Sequence, residues 1–102
     1  MANNQFNIVY SPDFYEDLDS IISYIKDKLK NKIVANLLID RIEKEIIERS
    51  KSPLSYERYK TKQDNVYYRI YIKNYIIFYT IADNTMVIRR LLYSRRNLEK
   101  LI

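Results

Sequence analysis

The sequence predicts an α+β domain in which a helical hairpin packs on one face of a small curved antiparallel sheet, in the order β-α-α-β-β-β. Three observations carry that expectation. Val66–Ile72, Tyr75–Ala82 and residues 86–93 are rich in β-branched and aromatic side chains and are separated by only a few residues. Apolar residues recur every three or four positions from Phe14 to Leu29, and again from Val34 to Ile47. A short alternating run, residues 6–10, precedes both periodic stretches. Strands gathered after a pair of helices point to a layered α+β arrangement rather than to βαβ units.

Taken in order, residues 6–10 read as a strand that Ser11-Pro12 ends. Serine is a good N-cap and proline suits the first helical position, while Asp13, Glu16 and Asp17 complement the positive end of the helix. Phe14, Leu18, Ile21, Ile22, Ile25 and Leu29 form its apolar stripe. Lys26, Lys28, Lys30 and Lys32 favour its carbonyl end, and Asn31 is the expected break. A second helix is expected over residues 32–51, with Val34, Leu37, Leu38, Ile42, Ile46 and Ile47 on its buried side and Ser52-Pro53 at its end. So short a connection implies an antiparallel hairpin.

Residues 54–65 show neither period and read as a loop or an irregular approach to the sheet, in which Arg58, Lys60 and Lys62 interleave with Tyr56 and Tyr59. In the following strands, alternation puts Tyr68, Ile70 and Ile72 on one face and Tyr67, Arg69 and Tyr71 on the other. Tyr75, Ile77, Tyr79 and Ile81 likewise oppose Ile76, Phe78 and Thr80. Glycine is absent, so Lys73-Asn74 and Asp83-Asn84 must make the turns with residues that tolerate a left-handed backbone. Residues 98–102 are read as a short closing helix or a tail.

At 102 residues the chain reads as one domain spanning 1–102. It has no cysteine and no histidine, so no metal site or other cofactor is expected and proton transfer would fall to Tyr, Lys, Arg, Asp or Glu. Without glycine, no glycine loop can cradle a phosphate. No apolar run reaches membrane-spanning length and the polar start is no signal peptide, which leads to the expectation of a soluble cytoplasmic protein. Charge is segregated. Residues 1–52 hold 8 Lys/Arg against 9 Asp/Glu, a net of −1, and residues 53–102 hold 10 against 4, a net of +6, so the whole excess of +5 lies in the second half. A polyanionic partner is implied, either a nucleic acid or an acidic protein. The end of the last strand, Tyr93-Ser94-Arg95-Arg96, sets a phenol beside two guanidiniums. That grouping suits a phosphate, and it equally suits a solvated basic strand end.

Tyr10-Ser11-Pro12, Asp17-Leu18, Ile22-Ser23-Tyr24-Ile25, Ala35, Leu38 and Ser52-Pro53 stand in an order that resembles the RelE/ParE superfamily of bacterial toxins. The resemblance continues through Tyr68-Arg69-Ile70, Asn74-Tyr75-Ile76-Ile77-Phe78-Tyr79 and Ile88-Arg89-Arg90-Leu91-Leu92-Tyr93-Ser94-Arg95-Arg96. These are the toxic halves of type II toxin–antitoxin modules. The resemblance implies an acidic antitoxin as partner and one of two activities. RelE-like members cut mRNA on the ribosome; ParE-like members lack nuclease activity and poison DNA gyrase. RNA cleavage is the first expectation, with gyrase poisoning as the alternative.

Carried over by position, the resemblance makes Arg69, Tyr93 and Arg95 the catalytic candidates, and Lys60, Lys62 and Arg96 candidates for gripping nucleic acid. Cleavage through the 2′-hydroxyl needs a base, an acid and cations for the charge developing on phosphorus. Tyr93 stands where many members carry histidine. Ile76 stands where cleaving members often carry an arginine aimed at the scissile phosphate, and the run Tyr75-Ile76-Ile77-Phe78-Tyr79 is closer to the apolar version of ParE-like members.

Overall fold

The computed structural model describes residues 5–95, so Arg96 and residues 98–102 lie outside the described residues. Two helices pack on a five-stranded sheet of order β1-β5-β4-β3-β2, as the α+β reading requires. The strands are β1 (Asn7–Tyr10), β2 (Arg58–Lys60), β3 (Val66–Ile72), β4 (Tyr75–Ala82) and β5 (Thr85–Tyr93). The expected meander is β3-β4-β5, with antiparallel neighbours closed by Lys73-Asn74 and Asp83-Asn84. Two features correct the sequence reading. β1 joins β5 in parallel, Tyr10 opposite Ile88, so the sheet is mixed rather than wholly antiparallel. Part of the expected 54–65 loop is the edge strand β2, which pairs Tyr59 with Tyr67. Three residues are too few for a period of two to show in a sequence.

The missing glycines leave a trace in the backbone. Lys30, Asp64, Lys73 and Asp83 all have positive φ, between 51° and 66°. In both tight hairpins the left-handed residue is the first of the pair, so the strained position of one turn falls on Lys73 and not on Asn74. A side chain with Cβ pays about 1 kcal/mol there, part of which glycine gives back through its freer unfolded chain. Lys73→Gly should therefore stabilise the fold by roughly 0.5 kcal/mol, read as a rise in the urea midpoint at unchanged m-value.

The first helix, α1, runs Pro12–Ser23. The Ser11 hydroxyl caps it, accepting from the Phe14 N–H at 3.2 Å, and also donates to the Arg89 carbonyl at 2.7 Å, which fastens the helix start to β5. Beyond Ser23 the chain does not continue as an α-helix. Tyr24–Lys28 form a π-helical turn, with the Leu29 N–H reaching back to the Tyr24 carbonyl. Asn31 caps α2 (Lys32–Arg49) by accepting from the Val34 N–H. Phe14 lines a crevice with Ile42 and Ile46, and Ile25 lines another with Val34 and Leu38, so the helices run antiparallel.

The core lies between these helices and the face bearing Tyr68, Ile70, Ile72, Ile77 and Tyr79. On the opposite face Ile76, Phe78 and Leu92 form a second buried cluster flanked by Tyr59 and Tyr67. The predicted alternation of β3 and β4 holds. In β5 the register shifts part-way along the strand. Phe78 pairs with Arg90 but Tyr79 pairs with Ile88, leaving Arg89 as an extra residue. Strict alternation from Met86 and Ile88 would drive Arg90 into the core; the bulge places Leu91 there instead, 1% exposed. In α2 the buried stripe is Ala35, Leu38, Ile42 and Ile46, while Val34, Leu37 and Ile47, expected inside, are exposed. Leu29 is exposed as well, because the π-helical turn rotates it off the stripe of Ile22 and Ile25. Among the described residues, no helix is long and apolar enough to cross a membrane.

Candidate functional site

Two arginines that sequence reasoning did not single out are fixed by the fold. β1 stops opposite Ile88, which among the described residues leaves the upper part of this edge of β5 without a strand partner. Asp17 of α1 fills that gap. Its carboxylate accepts from Arg90 Nε at 2.7 Å and Nη2 at 2.9 Å, and from the Leu91 backbone N–H at 2.9 Å. Hydrogen bonding to Asp17 raises the Arg90 pKa above its ordinary value, so this cation is committed to its partner. Arg49, at the end of α2, donates to the Arg69 carbonyl at 2.9 Å and to the Tyr79 hydroxyl at 3.0 Å, and lies 3.4 Å from the centre of the Tyr56 ring. Tyr79 in turn donates to the Pro53 carbonyl at 2.7 Å. Burial pushes the Tyr79 pKa up, against the lowering effect of the Arg49 hydrogen bond. The signal for these roles was weak: Asp17 stands among the acids of the first helix, Arg90 is the second of an Arg-Arg pair, and Arg49 lies between Glu48 and Ser50, all as ordinary surface residues also do.

The predicted site residues are distributed over both faces of the sheet. Arg69 lies on the face away from the helices, opposite Phe78. Its guanidinium sits 4.6 Å from the Tyr59 ring centre and 5.7 Å from that of Tyr71, with Nη2 3.6 Å from Glu57 Oε1. With its side chain only 23% exposed, Arg69 is partly enclosed by aromatic surface. Lys60 is on the edge strand β2, paired with Asp64 at 3.3 Å, and Lys62 is exposed in the turn that follows. Tyr93 belongs to the other face. It pairs with Tyr75, their rings meet edge to face at 5.8 Å, and both line a cleft with Ser20, Ile21 and Tyr24 of the helical layer. Arg95 is exposed just beyond β5. The structure therefore gathers Arg69 with Tyr59, Tyr71 and Glu57, and sets Tyr93 against the helices. Ile76, 5% exposed, is part of the apolar cluster with Phe78 and Leu92.

At the far end of the open face, Tyr67, Thr80, Arg89 and Arg90 help to line a cleft of about 400 Å³ at the start of α1. Arg89 donates from Nε to Thr80 Oγ1 at 2.9 Å. Among the described residues, no three acidic side chains converge as a metal site would require.

A family model described as the ParE toxin of the type II toxin–antitoxin system parDE matches residues 8–98. The chain belongs to the ParE toxin family. The superfamily resemblance read from Tyr10-Ser11-Pro12 onward is thus borne out. The fold of this ParE-family toxin is similar to a chain from the chromosomal ParDE toxin–antitoxin system of P. aeruginosa, with a TM-score of 0.70 at 11% identity, covering 88% of this chain and 97% of that one. A chain of the RelB–RelE antitoxin–toxin complex from Methanococcus jannaschii matches with a TM-score of 0.49 at 24% identity, over 92% and 98% of the two chains. No curated protein matches the sequence. The ParE-type toxin keeps the apolar Ile76-Ile77-Phe78 run inside its sheet, where Ile77 faces the helices and Ile76 and Phe78 the opposite side.

Proposed function

We propose that this toxin arrests growth as a binding poison of DNA gyrase, with no chemistry of its own, and that an acidic antitoxin neutralises it in the cytoplasm. The observation that carries this reading is the separation of Arg69 from Tyr93 across the thickness of the sheet. Cleavage through a 2′-hydroxyl requires the acid and the charge-stabilising cation at one phosphate, within hydrogen-bond reach of its oxygens. Here the guanidinium is committed to Glu57 and two tyrosine rings on one side, and the phenol lies among helix residues on the other. Ile76 adds no cation between them. Arg58, Arg89 and Arg95 remain exposed, and charged side chains on a rim steer and hold an anionic assembly without any reaction.

The second reading, ribosome-dependent mRNA cleavage, draws support from Lys60 and Arg69, carried by the neighbouring strands β2 and β3, and from Lys62 in the turn that joins them. The two are separated by one parallel experiment with purified toxin: gyrase supercoiling and trapped cleavage complexes on one side, and mRNA ends in a translating extract on the other. Accumulated gyrase–DNA complexes with intact mRNA are expected. Cuts within codons that disappear in Tyr93→Phe and Arg69→Ala would overturn the gyrase reading.

A further inference from the structure

One cation of the open face is pinned in place yet keeps most of its donors unused. Pairing of β4 with β5 shifts between Phe78 and Tyr79, and Arg89 is the extra residue that the shift leaves. Bulges of this kind re-aim a side chain and gather beside functional sites. Here the bulge sets Arg89 beside Thr80, whose hydroxyl oxygen accepts from Nε at 2.9 Å. That bond fixes the plane of the guanidinium. Nη1 and Nη2 are left as a parallel pair of donors, with no ion-pair partner among the described residues. Such a fork matches a phosphate or a carboxylate. The Thr80 hydroxyl only accepts in its bond to Arg89, so its proton can be donated to the same anion.

Arg89 lines the cleft of about 400 Å³ at the start of α1. Sites for small ligands occupy about 300–1,000 Å³. The rest of the wall decides which ligand fits. Arg90 borders the cleft too, but Asp17 holds its guanidinium and cancels its charge. Asp13 supplies the one carboxylate on the wall; it is exposed and accepts no side-chain hydrogen bond among the described residues. Arg89 and Asp13 therefore balance. A polyanionic backbone gains little from a cleft without net charge, whereas a ligand with an anion at one end and N–H donors at the other gains from both. Tyr67 adds an aromatic ring, held edge to face on Phe78 at 5.9 Å. Asn65 adds a side-chain amide with a donor and an acceptor, and its backbone is fastened to Thr61 in both directions.

We propose that this cleft binds a guanine nucleotide. The phosphate lies on the Arg89 fork and the Thr80 hydroxyl, and the base lies against the Tyr67 ring with Asn65 at its edge. The N1–H and the 2-amino group donate to the Asp13 carboxylate. An ionised carboxylate only accepts, so it selects a base edge with two adjacent donors, which guanine has and adenine lacks. The site stands apart from the cluster of Arg69, Tyr59 and Glu57 and does not depend on the gyrase reading, since binding is read on the toxin alone.

The test is calorimetric titration of purified toxin with guanosine 5′-monophosphate. One equivalent should bind, roughly 10-fold or more tighter than adenosine 5′-monophosphate or inorganic phosphate, as a good bidentate contact to a base provides. Arg89→Gln should weaken it roughly 10-fold or more, the loss expected of charge-assisted bonds. Arg89→Lys keeps the charge without the fork and should fall between, and it serves if the glutamine variant does not fold. Asp13→Asn should bring the two nucleotides to within about threefold of each other. Lys44→Gln, at an exposed lysine of α2, should leave the affinity unchanged. Equal affinity for guanosine and adenosine monophosphates in the wild type overturns the proposal. So do equal losses in Lys44→Gln and Arg89→Gln, which would mean diffuse attraction to a basic protein. Binding of a short guanine-containing DNA strand without binding of the mononucleotide overturns it as well, because the cleft would then hold a backbone.

Discussion

Replacing Asp17 with alanine should destabilise the protein by about 3 kcal/mol, the largest effect expected of any exchange outside the apolar core. Three donors converge on this carboxylate, two from Arg90 and one from the Leu91 backbone, all within 2.9 Å. Truncation removes both carboxylate bonds from a guanidinium that is 24% exposed and the acceptor of a backbone N–H at a strand edge where, among the described residues, no strand lies alongside to replace it. Fully buried pairs lose roughly 3–5 kcal/mol when broken on one side, and partial exposure here brings the estimate to the lower end. In a domain of this size the midpoint of thermal unfolding should fall by roughly 10–20 °C. Asp17→Asn keeps an acceptor but not the charge and should lose about half as much. The control is Arg41→Ala, which breaks an exposed i,i+4 pair with Glu45 and should stay within about 0.5 kcal/mol of wild type. Equal effects from Asp17→Ala and Arg41→Ala in urea melts would show that the edge clamp contributes nothing.

Why was the meander legible in the sequence when this clamp was not? β3, β4 and β5 are long enough, and alternate cleanly enough, for period and composition to agree. The helices were legible for the same reason, and Ser11-Pro12 gave the start of α1 through the local chemistry of a cap. What the sequence hid is non-local. Asp17 is read as one of several acids in a first helical turn and a half, yet its partners are 73 and 74 residues away. The bulge at Arg89 appears only once β4 sets the register. Parallel pairing of β1 with β5 leaves no mark on Asn7–Tyr10 itself. The α2 stripe was read too wide because apolar content and buried content differ at Val34, Leu37 and Ile47. Of the candidate site, Lys60, Arg69, Tyr93 and Arg95 were named by the family resemblance, carried over by position. That Arg69 and Tyr93 face opposite ways follows from strand parity combined with the bulge, and only the assembled sheet supplies both.

Tyr79→Phe should cost about 2 kcal/mol through one hydroxyl. That oxygen donates to the Pro53 carbonyl and accepts from Arg49 in a region where Tyr79 and Pro53 are both fully buried. Phenylalanine keeps the ring and its stacking on Tyr68 at 5.2 Å, so the loss isolates two unsatisfied partners rather than a cavity. The same burial gives a pH dependence of definite sign. Tyr79, Tyr10 and Tyr75 all have pKa values raised above the usual 10.0, chiefly by burial. A raised folded pKa means the folded chain holds its phenol protons after the unfolded chain has begun to release them. Their contribution is therefore complete below about pH 10 and is lost as pH rises from there through the folded values. Urea melts should be insensitive to these tyrosines at about pH 8 and fall steeply above about pH 10, and Tyr79→Phe should show a shallower fall. An equal alkaline slope in wild type and variant would mean that this hydroxyl does not hold its proton in the folded protein. The consequence reaches the open face. Arg49 also holds the Arg69 carbonyl and covers the Tyr56 ring, so the hydroxyl of a core tyrosine helps fix the strand on which Arg69 meets Tyr59 and Glu57.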